Sequence, residues 1–93
     1  MKRYTLSEEA RRDLKAIWRY VAVDNRTAAD RLVQGFDRVF DFLAANPLAG
    51  ETTTVANGRT YRIFSRGNYV IYYTLRDSKI VIAHVRHGAR DEP

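Results

Sequence analysis

The sequence predicts an α+β domain in which an N-terminal strand precedes an antiparallel helix hairpin, and the hairpin packs on an antiparallel sheet in the order β-α-α-β-β-β. Three observations support this prediction. Apolar residues recur at helical spacing through the first half of the chain. The second half changes to β-branched and alternating segments. Short turns separate those segments, with Asn57–Gly58 as the strongest hairpin signal.

The N-terminal half begins with a short predicted strand in residues 1–6, at an edge or in second position, with Tyr4 and Leu6 on one side. Ser7 follows as the predicted N-cap of the first helix, because its hydroxyl can accept a hydrogen bond from a free N–H of the first turn. An apolar stripe along this helix is formed by Ala10, Leu14, Ile17 and Val21. The stripe predicts one face turned towards a core.

The second helix is predicted after a break at residues 24–26. Thr27 and Asp30 resemble a capping box at its start, and Asn46–Pro47 ends it. We expect Gly35, inside this helix, to let the first helix pass close by. Its apolar residues are Leu32, Val33, Phe36, Val39, Phe40 and Leu43. A link of about three residues requires the two helices to fold back as an antiparallel hairpin.

Three or four antiparallel strands are predicted after Gly50, in residues 52–55, 59–64, 69–75 and 79–85. Residues 69–75 are a nearly continuous apolar run, which is typical of a central strand. The helix hairpin must cover one face of this sheet. The other face, or its rim, is then free for a partner.

Length and composition limit the kinds of protein the chain can be. Ninety-three residues are predicted to form one domain, residues 1–93, with one modest core and no large cofactor pocket. The chain has no cysteine, which excludes disulfides and thiolate metal sites. No apolar signal region or membrane-length run is present, so we expect a cytoplasmic protein that binds no membrane. We predict no cofactor and no metal.

The charge balance points to an anionic partner. Sixteen basic residues, of which 13 are Arg, stand against 11 acidic ones and give a net charge of +5. Because the Arg guanidinium is a planar fork of donors, it suits phosphate and carboxylate groups. Nucleic acid and an acidic protein segment are therefore both candidate partners. The alternative is that the charge only aids solubility.

The last strand delivers Arg86, His87 and Arg90 to one end of the sheet. His84 has the same parity as Ile82, so it is predicted in the core or on the sheet surface. His84 and His87 are three residues apart on an extended strand and therefore face opposite sides. They cannot readily share a metal ion.

Four segments carry a resemblance to a known family: YTLSEEARRDLKAIWRYV, FDFLAANPLAG, YRIFSRGNYVIYY and VRHGARD. In their order and spacing across the chain, the sequence resembles the ParE branch of the RelE/ParE superfamily of bacterial type II toxin–antitoxin modules. The resemblance implies a RelE-like fold. It also implies a hetero-oligomer with an acidic ParD-like antitoxin, whose partly disordered C-terminal segment wraps the toxin.

The first helix supplies the candidate antitoxin-binding residues Arg11, Arg12, Lys15, Trp18 and Arg19. Its cations can pair with antitoxin carboxylates or simply be solvated. Trp18 lies beside the apolar stripe and is predicted to be core. If it is partly exposed, it becomes a candidate anchor, because Trp and Arg dominate interface hot spots.

Resemblance to ParE implies inhibition of DNA gyrase by binding, with DNA contacted only through the antitoxin or the target. It puts the toxic determinant at the C-terminal end, and the candidate target-binding residues are Arg62, Arg86, His87, Gly88, Arg90 and Asp91. Gly88 would let the chain leave the strand with unusual backbone angles. For His87, the alternative to acid–base chemistry is a role as a docking residue or as a hydrogen-bonding group at the strand end. Arg62 could instead pair with a carboxylate such as Asp91.

Two alternatives remain open at the level of the sequence. RelE-like relatives cut mRNA on the ribosome, and that chemistry would use Arg62 for the phosphate and His87 as acid or base. Against it, the segment LAGETTTVANGR has no Lys, Glu51 cannot be placed at a catalytic position, and Gly88 replaces a Tyr. The third possibility is a non-toxic module that only binds antitoxin.

Overall fold

A computed structural model describes residues 3–88 and residue 93. Its elements are β1 (Tyr4–Leu6), α1 (Glu8–Ala22), α2 (Arg26–Ala45), β2 (Glu51–Thr54), β3 (Thr60–Arg66), β4 (Tyr69–Arg76) and β5 (Lys79–His87). This order confirms the α+β class, the N-terminal strand and the helix hairpin. Four strands follow the helices, at the predicted places.

The strands form one five-stranded sheet in the order β1-β5-β4-β3-β2. Strands β2 to β5 are antiparallel neighbours, as expected for segments joined by short turns. Strand β1 pairs with β5 in parallel, with Tyr4 opposite Ile80. The sheet is therefore mixed, because β1 leaves directly into the helix hairpin while the direction of β5 is set by the hairpin turns before it.

Both helices begin at a side-chain cap. Ser7 accepts a hydrogen bond from the Ala10 N–H at 2.9 Å, as predicted. Asn25, and not Thr27, caps α2 by accepting from the Ala28 N–H at 3.0 Å. The helix thus starts earlier than the apparent capping box suggested. Within residues 3–88, no helix combines the length and apolar character needed to cross a membrane.

The main core lies between the helix hairpin and the sheet. Its largest fully buried side chains are Phe36, Phe40, Leu43, Ile71, Tyr73, Ile80, Ile82 and Val85. Gly35 is buried next to this core, but α1 is not what crosses it. The guanidinium group of Arg66 occupies the place that a side chain at Gly35 would take.

A smaller cluster lies on the helix-free face of the sheet, where Val55, Tyr61 and Tyr72 are buried. A β-bulge brings His84 to this face, because Tyr73 pairs with Ile82 while Tyr72 pairs with His84, leaving one extra residue in β5. The prediction that His84 shares a face with Ile82 is therefore wrong. His84 and His87 do lie on opposite faces.

The edge of β5 beyond β1 is closed by side chains from the start of α1. The Ser7 hydroxyl donates to the Ala83 carbonyl oxygen at 2.7 Å. The Asp13 carboxylate accepts from the Val85 N–H at 3.0 Å. These side-chain hydrogen bonds take the place of the backbone hydrogen bonds that a longer β1 would have made to β5. They fix the strand that leads to the C-terminal end of the chain.

Candidate functional site at the end of strand β5

The end of β5 presents His87 on a rigid support. The His87 ring meets the edge of Tyr69 at a centroid distance of 5.3 Å, and Tyr69 meets the core residue Phe36 at the same distance. His87 itself is exposed. Gly88 follows with φ of 71°, a left-handed conformation that favours glycine. The imidazole is thus held at the rim of the core by its packing against Tyr69.

An apolar cleft of about 360 Å³ adjoins His87. It is lined by Ala16, Ile17 and Tyr20 of α1, by Tyr69 of β4 and by His87. Tyr20 is 82% exposed, so a large aromatic side chain borders the cleft at the protein surface. Because His87 also lines the cleft, the cleft and the strand tip form one continuous surface.

Arg86 faces the other side of the sheet and is held by α1. Its Nε lies 3.4 Å from the Asp13 carboxylate, and the same Asp13 oxygen accepts from the Val85 N–H. The Arg86 Nη2 lies 3.3 Å from Nδ1 of His84. Arg86 thus ties β5 to α1 and is separated from His87 by the sheet itself.

His84 is the buried centre of this network. Its Nδ1 has a Glu9 carboxylate oxygen at 3.2 Å and Arg86 Nη2 at 3.3 Å, and its Nε2 lies 3.4 Å from the Tyr61 hydroxyl. Nδ1 can serve only one of its two neighbours at a time, as a donor to Glu9 or an acceptor from Arg86. Burial, and then the positive charge of Arg86, lower the pKa of His84 below its usual 6.5.

Arg62 is bound to the loop between α2 and β2. Its Nη2 donates to the Gly50 carbonyl oxygen at 2.8 Å and to that of Leu48 at 3.3 Å, and its Nη1 donates to the Thr52 hydroxyl at 3.3 Å. The guanidinium group therefore ties β3 to this loop through two of the loop's carbonyl oxygens. Its candidate carboxylate partner Asp91 lies outside the described residues.

Arg62 and His87 lie far apart. Arg62 is opposite Tyr73, whereas His87 is opposite Tyr69, four residues away along β4. Four residues of strand span about 13 Å, and β3 and β5 lie a further ~10 Å apart across β4. The two side chains therefore cannot contact one phosphate group.

The candidate antitoxin-binding residues share one helix but differ in their contacts. Trp18 is half-buried, its indole N–H donates to Asp30 at 2.8 Å, and the Arg26 guanidinium lies over its ring at 5.7 Å. Trp18 therefore joins the two helices. The four cations Arg11, Arg12, Lys15 and Arg19 are all exposed. Arg12 forms an exposed ion pair with Glu8 at 3.5 Å.

Comparison with family models decides which family the chain is from. The model described as the ParE toxin of the type II toxin–antitoxin system parDE matches residues 4–92. The chain belongs to the ParE toxin family. A solved structure titled "Chromosomal ParDE TA system from P. aeruginosa" has 22% sequence identity and a TM-score of 0.73 over 95% of this chain and 97% of that chain. It supports the fold. A search of curated proteins found no significant match.

For this ParE family member, the structure places three of the six candidate target-binding residues apart from one another: Arg62 at the α2–β2 loop, Arg86 on the helix-free face, and His87 beside the apolar cleft. Gly88 directly follows His87. The other two, Arg90 and Asp91, lie outside the described residues. Sequence reasoning missed Tyr20 and the cleft, although Ala16 and Tyr20 at i, i+4 were a signal that could have found them.

Proposed function

We propose that this chain is the toxin of a type II module, that it inhibits DNA gyrase by binding without breaking bonds, and that an acidic antitoxin neutralises it. The observation that carries the non-catalytic part is the separation of Arg62 from His87. Phosphodiester cleavage needs a cation and an acid–base group at the same phosphate. Here the cation, Arg62, is bound to loop carbonyl oxygens, and the acid–base candidate, His87, lies two strands away.

The tip of β5 is the surface that we propose meets the target. His87 is exposed, and its ring is positioned by Tyr69 and through it by Phe36. Ordering a side chain before binding lowers the entropic cost of association. A positioned hydrogen-bonding group next to an apolar cleft combines polar and apolar contacts of the kind found at interface hot spots.

The antitoxin is proposed to bind the exposed face of α1 and the cleft beside it. The net charge of +5 favours an acidic partner and speeds its encounter. The exposed Tyr20 and the apolar cleft offer an anchor for a hydrophobic side chain. The complex would then be a hetero-oligomer in which the antitoxin covers the target-binding tip by lying over His87.

A gyrase supercoiling assay with purified protein tests the proposal, with a ribosome-dependent mRNA cleavage assay alongside it. We expect inhibition of supercoiling, no cleavage of mRNA, and at least about tenfold weaker inhibition by His87→Ala, a loss of about 1.4 kcal/mol. Gln34→Ala, an exposed change on α2, is the matched control and should inhibit like the wild type. Cleaved mRNA with unaffected gyrase would overturn the proposal, and inactivity in both assays with tight antitoxin binding would favour a non-toxic module.

A further inference from the structure

A second cleft, of about 430 Å³, lies on the helix-free face of the sheet, away from His87. Its floor includes Tyr61, Thr74 and His84, and its rim includes Arg59 and Arg76. The two Arg residues come from the end of the sheet where β3 begins and β4 ends. Neither the proposed target surface nor the proposed antitoxin surface uses this cleft.

The cations at this cleft are carried by fixed turns. The backbone of Arg59 accepts from the Val55 N–H at 2.9 Å and donates to the Asn57 side chain at 2.9 Å. Arg76 pairs with Lys79 across the turn between β4 and β5. Both Arg side chains are exposed, and in the described part of the chain neither has an ion-pair partner.

These cations stand in a row across the sheet. Arg62 lies opposite Tyr73, so three residues further along each strand Arg59 lies opposite Arg76. On the other side of Arg76, its partner on β5 is Lys79. Neighbouring strands are ~4.8 Å apart, and like charges directly opposite each other are destabilising. A row of this kind costs stability in the free protein, and an anion bound across it would remove that cost.

The floor supplies neutral hydrogen-bonding groups. Thr60, Tyr61, Thr74 and His84 are among the residues that line the cleft. The Tyr61 hydroxyl lies 3.4 Å from His84 Nε2, and the Thr60 hydroxyl shares a hydrogen bond with the Thr54 hydroxyl. Glu9 is the acidic residue among the lining residues, and its carboxylate lies 3.2 Å from His84 Nδ1. Two guanidinium groups at the rim outnumber this single carboxylate, so the cleft retains a positive balance.

We propose that this cleft binds phosphate groups, and that their source is the backbone of a nucleic acid. Planar guanidinium forks bind phosphate oxygens in pairs, and the hydroxyl of Thr74, one of the lining residues, can donate to a further oxygen of a tetrahedral anion. The cleft is open and lies on an extended sheet face, so a polymer can cross it. This inference departs from the expectation that DNA is contacted only through the antitoxin or the target. It does not depend on gyrase being that target.

The test is fluorescence anisotropy of a labelled duplex of about 20 base pairs with the full chain, titrated at several salt concentrations. The Arg59→Gln/Arg76→Gln variant removes two rim cations. Arg31→Gln/Arg38→Gln is the matched control, because it removes two exposed cations from α2 and the same total charge. We expect the plot of the logarithm of the association constant against the logarithm of the salt concentration to become less steep in the rim variant. The magnitude of its slope should decrease by about 2 more than in the control.

Inorganic pyrophosphate identifies the source of the phosphate. If pyrophosphate competes only weakly and the rim variant loses duplex binding, the nucleic-acid backbone is the ligand. If pyrophosphate binds tightly and raises the Tm of the wild type but not of the rim variant, the phosphate site stands and its source is a small phosphate compound. Equal duplex and pyrophosphate binding by the rim and control variants would overturn the proposal. The proposal would also be overturned if the cleft bound an acidic peptide but neither the duplex nor pyrophosphate.

Discussion

Gly35 and Gly50 are both buried, but a methyl group would meet different neighbours at the two positions. At Gly50 it would collide with the Ile63 carbonyl oxygen and with the Tyr73 ring, both of which are fixed in the sheet. At Gly35 the three nearest atoms all belong to the far end of the Arg66 side chain, which is exposed and can move. The sequence alone does not show that the two glycines have different surroundings.

We predict opposite effects of alanine at these two glycines. Gly50→Ala should lower the free energy of unfolding by about 1–3 kcal/mol, as overpacking does. Gly35→Ala should raise it by up to about 1 kcal/mol, because alanine favours the helix and Arg66 can swing into solvent. Urea denaturation of both variants measures the effect. A loss above about 1 kcal/mol in Gly35→Ala would mean that the Arg66 contact is itself stabilising.

His84 makes the stability depend on pH. Because its pKa is lowered in the folded protein, protonation favours the unfolded state. The stabilising effect is complete above the unfolded pKa of about 6.5 and is lost as pH falls through the lower folded pKa. We predict that the wild type loses stability on acidification below pH 6.5 and that His84→Gln shows a shallower dependence, with a difference of at most about 1.4 kcal/mol per pH unit.

Chemical denaturation between pH 7.5 and pH 5 measures this difference. His87→Gln serves as the control for replacing a histidine, at an exposed position. Carboxylates away from His84 are common to all three proteins. Glu9, whose carboxylate lies 3.2 Å from His84 Nδ1, loses that partner in His84→Gln, so the slope difference reports the His84–Glu9 pair. Identical slopes for wild type and His84→Gln would show that burial of the imidazole has no consequence for folding.

The loop between α2 and β2 illustrates how an element is held by residues remote in sequence. The Tyr73 hydroxyl donates to the Pro47 carbonyl oxygen and accepts from the Gly50 N–H, both at 2.9 Å. Arg62 binds two more carbonyl groups of the same loop. This arrangement keeps Leu48, which is 70% exposed, on a fixed backbone.

We predict that Arg62→Ala lowers the free energy of unfolding by about 1–3 kcal/mol, because the Gly50 and Leu48 carbonyl oxygens lose a charged donor that ties their loop to the sheet. Arg38→Ala, at an exposed position of α2, is the control and should change stability by less than about 0.5 kcal/mol. Urea unfolding and growth arrest are measured together. An Arg62→Ala protein that is fully stable but no longer toxic would instead assign Arg62 to target binding.

The positions of the elements could be predicted because each depends on local sequence. Ser7 and Asn46–Pro47 mark helix ends, and Asn57–Gly58 marks a turn, through backbone preferences that act within a few residues. The bulge at His84 could not be predicted, because it arises from how β5 meets β4. The contact of Gly35 with Arg66 could not be predicted either, because Arg66 comes close to Gly35 only in the folded sheet.

At the scale of the whole molecule, the excess of positive charge should govern association with the antitoxin. The net charge is +5, and α1 carries exposed cations. We predict that the association rate falls at least about tenfold between about 20 mM and about 500 mM salt, while the dissociation rate changes much less. Stopped-flow mixing with the cognate antitoxin measures both rates.

Two double variants with the same net charge separate the effect of where the positive charge lies from the effect of the total charge. Arg11→Gln/Arg19→Gln and Arg31→Gln/Arg38→Gln both remove two charges and take the net charge from +5 to +3. If α1 forms the antitoxin surface, the first variant should also dissociate faster, whereas the second should change only the association rate. Equal dissociation rates for the two variants would move the antitoxin surface away from these α1 cations.

The sequence by itself determined the α+β class, the helix hairpin, the strand positions and the ParE family, because these follow from local preferences and from the order of motifs along the chain. Only the tertiary structure decided that Arg62 serves the loop, that Arg86 and His87 lie on opposite faces, and that Arg59 and Arg76 share a cleft. Strand pairing and the bulge set those distances, and both depend on contacts between residues far apart in the chain.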